Sequence, residues 1–216
     1  ASGCTEVAIV ISPRKRIIEK YPTTCCPWLV NRCHLSFLVQ EEPLGLGHAL
    51  WLARDFCQGR PFAVLLPDDL VDGPRLPLQQ MAEVFEAFGG AVFAVARETA
   101  QCASRYGRLR LRRISERVYQ VEAILPRTTP VGEKAVLAGV GRCLFGPEFL
   151  DYAAMLLDRP RAGELDDALI LQTMLEAGDP VHGVHIEGRR FDISTPDGYI
   201  AAWQRFGKEG PIWECP

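Results

Sequence analysis

Apolar runs alternate with amphipathic segments along the first half of the chain. Runs rich in β-branched and aliphatic residues predict strands at 7–11, 35–39, 62–66 and 91–96. Helical spacing of apolar residues predicts helices at 47–56 and 78–88, and the segment at about 14–21 is helix-like. Strands that alternate with helices are typical of βαβ units, and the continuous apolar run at 62–66 is typical of a strand buried on both faces of a parallel sheet.

The second half of the chain mixes hairpin and helix patterns. Polar and apolar residues alternate through 108–121, which predicts a hairpin. Further strands are predicted at 136–145 and 181–186, and helices at 147–157, 165–176 and 199–206. No repeat or linker interrupts the pattern, so we predict one domain over 1–216. Its predicted fold class is α/β, with a doubly wound, mixed and mainly parallel sheet.

Composition and charge exclude several classes of function. The net charge of -3, with 48% hydrophobic and 24% charged residues, is typical of a soluble globular protein and argues against general nucleic-acid binding. Within the basic run 105–113, Leu109 and Leu111 alternate with arginines. This pattern predicts a strand whose leucines point inward and whose arginines face solvent. No apolar stretch is long enough for a membrane span, and the N-terminal residues do not resemble a signal peptide, so we expect no membrane association.

Eight cysteines are scattered without any C-x-x-C pair. Zinc bound by Cys25, Cys26, Cys33 and His34 is an open alternative, although the spacing does not match known zinc loops. Buried free thiols are the favoured interpretation, because the cysteines stand mostly alone in apolar stretches. Free thiols persist in a reducing compartment, so we expect a cytoplasmic protein.

Two carboxylates follow predicted strands. Asp68 comes directly after the strand at 62–66, and Asp192 lies at a second strand-to-loop junction, just before the helix start marked by Thr195-Pro196. Ligands of open α/β sheets bind beyond the carboxyl ends of the strands, where two carboxylates can hold Mg²⁺ beside nucleotide phosphates. The alternative is that each aspartate only caps a turn or braces a loop.

A glycine-rich turn follows the strand at 35–39. Gln40 ends this strand, and Gly45, Gly47 and His48 stand at the start of the next predicted helix. The glycines let backbone amides approach an anionic ligand, and a glutamine side chain can both donate and accept hydrogen bonds at the edge of a uracil or thymine base. Taken singly, His48 is better explained as a structural histidine than as a catalyst.

Together, these segments resemble those of the bacterial UTP–glucose-1-phosphate uridylyltransferases, also called UDP-glucose pyrophosphorylases. The segments occur in the same order in both, and the similarity runs from residue 1 to about residue 207. The segments that carry it are Gln40 with the G-L-G-H-A turn at 45–49, L-L-P-D-D at 65–69, Tyr106-Gly107, Gly139-Val140-Gly141-Arg142, G-E-L-D-D-A at 163–168, and Phe191-Asp192-Ile193 with Thr195-Pro196 and Gly198-Tyr199.

The resemblance implies a Rossmann-like nucleotidyltransferase that converts UTP and glucose-1-phosphate to UDP-glucose and pyrophosphate. It implies that Asp68 and Asp192 are catalytic residues that hold Mg²⁺, and that the partners are nucleotide and sugar-phosphate substrates. It implies substrate contacts at Gln40, Gly45, Gly47, His48, Gly107, Gly141 and Glu164. Self-association of the chain is left open.

Two family features are missing from these 216 residues. The family opens with a first strand and a G-x-G-T-R loop, which together with a P-K element surround the triphosphate. The family's V-E-K-P segment corresponds here to 121–127, where Glu122 or Arg127 would substitute through a register shift but the lysine is absent. We therefore expect slow or no turnover, and keep two alternatives: a dTDP- or GDP-sugar pyrophosphorylase, and a non-catalytic nucleotide-sugar-binding homologue.

Overall fold

The computed structural model describes residues 3–99, 108–125, 135–160 and 163–207. Its strands are β1 (Glu6–Ile11), β2 (His34–Val39), β3 (Phe62–Leu65), β4 (Asp69–Asp72), β5 (Ala91–Thr99), β6 (Arg108–Arg113), β7 (Val118–Leu125), β8 (Ala135–Phe145), β9 (Val181–His185) and β10 (Arg189–Asp192). Its helices are α1 (Tyr21–Cys25), α2 (Pro27–Val30), α3 (Leu46–Leu52), α4 (Arg54–Cys57), α5 (Pro77–Phe88), α6 (Glu148–Leu157), α7 (Asp167–Ala177) and α8 (Pro196–Phe206), with a 3₁₀ helix at Pro13–Lys20.

Six strands form a mixed sheet in the order β3-β8-β5-β9-β7-β6. Within it β5 and β9 run parallel, whereas β8 is antiparallel to its neighbours β3, β5 and β6. Two smaller ladders pair β1 with β2 in parallel and β4 with β10 antiparallel. The α/β class with a mixed sheet is confirmed. The expectation that the strand at 62–66 is buried in a parallel sheet is wrong, because β3 pairs antiparallel with β8 and Leu65 is 52% exposed.

Helices cover both faces of the six-stranded sheet. Alternate residues of β5 point to opposite sides, so that Val92 and Ala94 pack with Met81 of α5, whereas Phe93 and Val95 belong to the larger core beneath α6 and α7. The rings of Phe145 and Phe149 stack in that larger core with their centroids 4.1 Å apart. This arrangement confirms the doubly wound packing that the alternation of elements predicts.

Most predicted elements are confirmed with shifted ends, but three regions differ. The helix predicted at 47–56 is two short helices, since Ala53 between α3 and α4 has non-helical ψ (φ -84°, ψ 3°). The segment at 22–31, for which the sequence pattern predicts no helix or strand, holds most of α1 and all of α2. The pairing of β4 with β10 was not predicted, because strands of four residues carry too few positions for a periodic signal.

The described cysteines are free, and Cys57 and Cys143 are buried as expected. Cys4 and Cys25 are exposed instead, and Cys26 and Cys33 are partly exposed. No group of three or more potential metal ligands occurs among the described residues. Likewise, none of the helices in the described ranges is long and apolar enough to cross a membrane. Cys102 and Cys215 lie outside the described residues.

A buried ion pair fixes the β4–β10 ladder to the main sheet. The guanidinium of Arg190 on β10 bonds to the carboxylate of Asp69 on β4, and both side chains are only 6% exposed. The same guanidinium reaches Glu98 at the end of β5, 2.9 Å away. One arginine therefore connects three strands, and the cost of desolvating it is offset only while both carboxylates are present.

We expect Arg190→Met to lower the free energy of unfolding by about 3 to 5 kcal/mol, because it leaves buried carboxylates without a counter-charge. Arg205→Met is the matched control on the same side of the molecule. It removes the ion pair between Arg205 and Asp72, whose side chains are 41% and 32% exposed. The free energy of unfolding should therefore fall by about 1 kcal/mol or less. Urea unfolding of both variants checks this, and equal losses would contradict it.

The stability of the fold should also depend on pH through His182. This residue of β9 is 4% exposed beside the ring of Phe88, and burial lowers its pKa. As pH falls, His182 therefore becomes protonated at a higher pH in the unfolded chain than in the folded chain. The free energy of unfolding should fall as pH drops below about 6.5, the ordinary pKa of histidine. His182→Leu should lose less stability on acidification than the wild type in thermal unfolding scans.

An unchanged pH dependence in His182→Leu would contradict this assignment. Part of the dependence should persist in that variant, because burial, together with Arg117 and Arg97, also lowers the pKa of His185. A double variant that lacks both imidazoles should therefore show the flattest pH profile of the three proteins.

Candidate functional site

A cavity of about 700 Å³ lies against the main sheet, with residues of β3, β8 and α7 in its lining. Its volume lies within the range of small-molecule sites. Apolar side chains from the core form its floor, and six carboxylate-bearing residues contribute to its walls: Asp68, Asp69, Glu164, Asp166, Asp167 and Asp192. Among the described residues, Arg190 is the only basic residue in the lining, and it is bonded to Asp69 and Glu98.

Asp68 and Asp192 are brought to this one cavity from positions far apart in the sequence. The ladder between β4 and β10 places Asp192 opposite Asp69, and the backbone N–H of Ile193 donates to the carbonyl of Asp68 over 2.9 Å. The carboxylate of Asp192 accepts hydrogen bonds from the backbone and hydroxyl of Ser194 at 3.1 and 2.5 Å.

The turn after Asp192 is fixed by the start of α8. As predicted, Thr195 caps this helix, and its hydroxyl accepts from the backbone N–H of Gly198 at 3.1 Å and donates to the carbonyl of Asp192 at 2.9 Å. This bonding holds the end of β10 in place beside the cavity.

The loop that carries Asp68 packs tightly against β8. Pairing between β5 and β8 passes from Phe93 opposite Cys143 to Val95 opposite Gly139, so β8 bulges at 140–142. In this bulge the N–H of Gly141 donates to the carboxylate of Asp69 at 2.7 Å, and its carbonyl accepts from Leu66 at 2.8 Å. A Cβ at Gly141 would lie 2.7 Å from Leu66 Cβ, so only glycine allows this approach.

Arg142 completes the attachment of this loop. Its guanidinium donates to the carbonyl of Leu66 at 2.6 Å and to that of Asp69, which lie on either side of Pro67 and Asp68. Burial lowers the pKa of Arg142, while Asp69 and Asp68 act in the opposite direction. The guanidinium stays charged because its ordinary pKa is far above neutral.

The glycine-rich turn serves first to join two segments of the chain. Gly45 has φ +98°, and a Cβ there would meet the backbone of Leu165. The N–H of Gly47 donates to the carbonyl of Leu165 at 2.9 Å, and Leu165 donates to Leu44 at 2.8 Å. Gly45 lines the cavity, whereas Gly47 is buried under α7 and its N–H is already used within the protein.

Gln40 and His48 lie beside Gly45 and do not belong to the described lining. The side-chain nitrogen of Gln40 is 3.0 Å from the carbonyl of Gly45 and 2.9 Å from Nδ1 of His48. The ring of His48 stacks on Trp51 at 6.0 Å. With its amide nitrogen engaged in these contacts, the other polar atom of the Gln40 side chain is its oxygen, which accepts hydrogen bonds.

The cavity wall beside Gly45 is acidic. Glu164, Asp166 and Asp167 all line it at the N-terminus of α7, where Asp166 is the N-cap and accepts weakly from Ala168 at 3.4 Å. Burial raises the pKa of Asp167 to about 8, and a hydrogen bond and the charge of Asp166 act in the same direction. Asp167 is therefore largely protonated at neutral pH, which reduces the negative charge of this wall.

The structure does not bring Glu122 into the cavity. The bulge between β6 and β7 places Arg110 opposite Ala123 and Leu111 opposite Val121, so Glu122 falls between paired positions. Its carboxylate lies 3.8 Å from Arg110 and 3.6 Å from Arg112 on the solvent-facing side, while Ile124 on the same strand lines the cavity. The inward leucines and outward arginines predicted for this strand are confirmed at 109–112.

Two predicted positions, Gly107 and Arg127, lie outside the described residues. Three described residues were missed by the sequence analysis: Asp69, Arg142 and Arg190. In the sequence, Asp69 is only the second aspartate of the L-L-P-D-D segment, and one signal indicates its different role. Successive side chains of a strand point in opposite directions. When a residue that begins a strand directly follows a metal-binding aspartate, its side chain therefore points away from the metal.

Asp68 and Asp192 form a donor set that fits a divalent cation. Both offer hard carboxylate oxygens to one cavity, and Mg²⁺ in nucleotide sites is commonly held by one or two carboxylates, with phosphates and water in the remaining positions. The wall around them is acidic, which favours a cation electrostatically.

Comparison with known proteins agrees with this geometry. UTP–glucose-1-phosphate uridylyltransferases from Komagataeibacter xylinus and Bacillus subtilis (strain 168) are 32% and 30% identical over 74% and 83% of the chain. The chain spans 55% and 61% of their lengths.

Solved structures of other proteins share the fold. A UDP-glucose pyrophosphorylase complexed with UDP-glucose superposes with a TM-score of 0.84 at 24% identity, covering 96% of this chain and 83% of that one. A UTP-bound enzyme from Acinetobacter baumannii gives a TM-score of 0.78 at 23% identity, covering 98% and 80%. The sequence profile of the nucleotidyl transferase family matches residues 1–209, and the chain therefore belongs to that family.

Proposed function

We propose that this chain binds a uridine diphosphate sugar with a divalent cation and carries the sugar-binding half of a UTP–glucose-1-phosphate uridylyltransferase site. The convergence of Asp68 and Asp192 on one cavity is the observation that supports it most. Two bacterial relatives are named UTP–glucose-1-phosphate uridylyltransferases, which supports the same reaction for this chain.

In this proposal Asp68 and Asp192 hold Mg²⁺, which when bound neutralises charge on the transferring phosphoryl group. The oxygen of Gln40 accepts a hydrogen bond from the N3–H of the pyrimidine. Gly141 and Glu164 lie where a hexose would extend, and the protonated carboxyl of Asp167 can donate to one of its hydroxyls. The contacts of Gly107 and Glu122, the cytoplasmic location and self-association stay predictions.

We expect UDP-glucose to bind in the presence of Mg²⁺ and to bind much more weakly after chelation. Asp68→Asn and Asp192→Asn should each weaken binding at least about tenfold, because each removes a charged ligand of the cation. Asp151→Asn, which changes an exposed carboxylate on α6, should bind like the wild type. Calorimetry checks this, and no heat with UDP-glucose would refute the proposal.

A panel of nucleotide sugars tests the base preference. UDP-glucose and dTDP-glucose should both bind better than GDP-mannose, because the N1–H of the two-ring guanine lies farther from its ribose than the N3–H of uracil or thymine and would not meet the Gln40 oxygen in the same position. Replacing Mg²⁺ by Mn²⁺ or Ca²⁺ in the same titrations identifies the cation. Preferential binding of GDP-mannose would favour the GDP-sugar alternative.

Affinity for UDP-glucose should fall several-fold above pH 8, because Asp167 then ionises and adds a negative charge beside the ligand. Asp167→Asn should have a flatter affinity profile between pH 7 and pH 9, measured by calorimetry. Wild type and variant meet the same ligand, so titration of the ligand cancels. Identical profiles would show that Asp167 does not adjoin the ligand.

We expect the 216-residue chain assayed alone to turn over at least about 100-fold more slowly than the full-length enzyme of Bacillus subtilis. The reason is that the only basic side chain of the described lining, Arg190, is bonded to two carboxylates. Pyrophosphate release measured with UTP and glucose-1-phosphate checks this. A rate equal to that of the relative would contradict it, and binding without turnover would favour the non-catalytic alternative.

A further inference from the structure

We infer that Arg142 is a positioning residue for the divalent cation: its guanidinium fixes the loop that carries Asp68 in the conformation in which Asp68 and Asp192 can share one ion. The inference rests on the proposed function and deepens it, since it assigns a role to a side chain that is absent from the cavity lining.

The contacts of Arg142 surround Asp68 without touching its carboxylate. One terminal nitrogen donates to the carbonyls of Leu66 and Gly141 at 2.6 and 2.8 Å, and the other donates to the carbonyl of Asp69. The residue therefore connects both ends of the loop 66–69 to β8. Pro67 within this loop has no N–H and Asp68 is exposed, so few bonds from the loop itself could hold it.

The neighbouring bonds tie the loop to the second aspartate. The N–H of Ile193 donates to the carbonyl of Asp68 at 2.9 Å, and Asp69 accepts from both Gly141 and Arg190. Movement of the loop would shift Asp68 relative to Asp192. Because a small cation such as Mg²⁺ demands near-ideal geometry, even a small shift should weaken binding.

The charge of Arg142 acts against this role. A guanidinium near Asp68 repels an incoming cation, so a purely electrostatic view predicts tighter cation binding when the charge is removed. The geometry predicts the reverse. Lysine separates the two effects, because it keeps the charge but presents one compact ammonium, which cannot span the carbonyls of Leu66 and Asp69 as a planar guanidinium does.

The experiment compares Arg142→Lys and Arg142→Gln with Arg117→Lys. Arg117 is a matched control: it is half-buried, donates to the carbonyl of His185 at 3.0 Å and to Gln80 at 3.1 Å, and pairs with Glu187 away from the cavity. Thermal unfolding measures the stability of each variant. Electron paramagnetic resonance measures Mn²⁺ affinity with UDP-glucose present, and amide hydrogen exchange of Asp69 and Ile193 is measured in the metal-free protein.

We expect both Arg142 variants to bind Mn²⁺ about tenfold more weakly and to exchange the amides of Asp69 and Ile193 faster, because a preorganised site becomes mobile. Arg117→Lys should lose stability with neither effect. Unchanged exchange at Asp69 and Ile193 in the Arg142 variants would overturn the inference, as would tighter Mn²⁺ binding by Arg142→Gln. If the wild type binds no Mn²⁺ with UDP-glucose, the proposed function fails and the cation role with it, whereas the exchange rates still decide whether Arg142 anchors the loop.

Discussion

The carboxylate of Asp69 is the point on which the arrangement of the cavity depends. Almost excluded from solvent, it accepts from the backbone of Gly141 on β8 and from the guanidinium of Arg190 on β10. A buried carboxylate without such partners would be too costly to keep charged, so the three segments must meet wherever Asp69 is buried. Their meeting leaves Asp68 directed to the cavity, with Asp192 on the paired strand beside it.

Charge distribution in the cavity follows from this use of cations for structure. Arg190 is bonded to Asp69 and Glu98, and Arg142 to backbone carbonyls, so the positive side chains nearest the described cavity act within the protein. The wall is left acidic, and Asp167 keeps its proton at neutral pH because burial and Asp166 oppose ionisation. Under the proposed function, a divalent cation offsets the repulsion between this wall and a phosphate-bearing ligand, and the carboxyl groups bond to the hydroxyls of its sugar.

Glycines perform two separate tasks around the same cavity. Gly45 and Gly47 allow the turn before α3 to lie on the backbone of Leu165, which keeps Glu164 at the cavity wall. Gly141 allows the loop after β3 to approach the bulge of β8. At both places a Cβ atom would overlap backbone atoms or neighbouring side-chain atoms. The close packing around these glycines therefore excludes larger residues.

The sequence by itself determined the α/β class, most elements and the segments that compose the site, because periodic apolar patterns and turn residues are local signals. It placed Asp68 beyond the end of β3, Asp192 at the end of a strand and Leu109 and Leu111 inward, as found. Only the tertiary structure decided that β3 is antiparallel, that Gly47 bonds to Leu165, that Glu122 turns to Arg110 and Arg112, and that Arg142 and Arg190 surround the loop of Asp68. Those outcomes depend on strand pairing, bulges and burial between residues distant in the sequence, which no local pattern encodes.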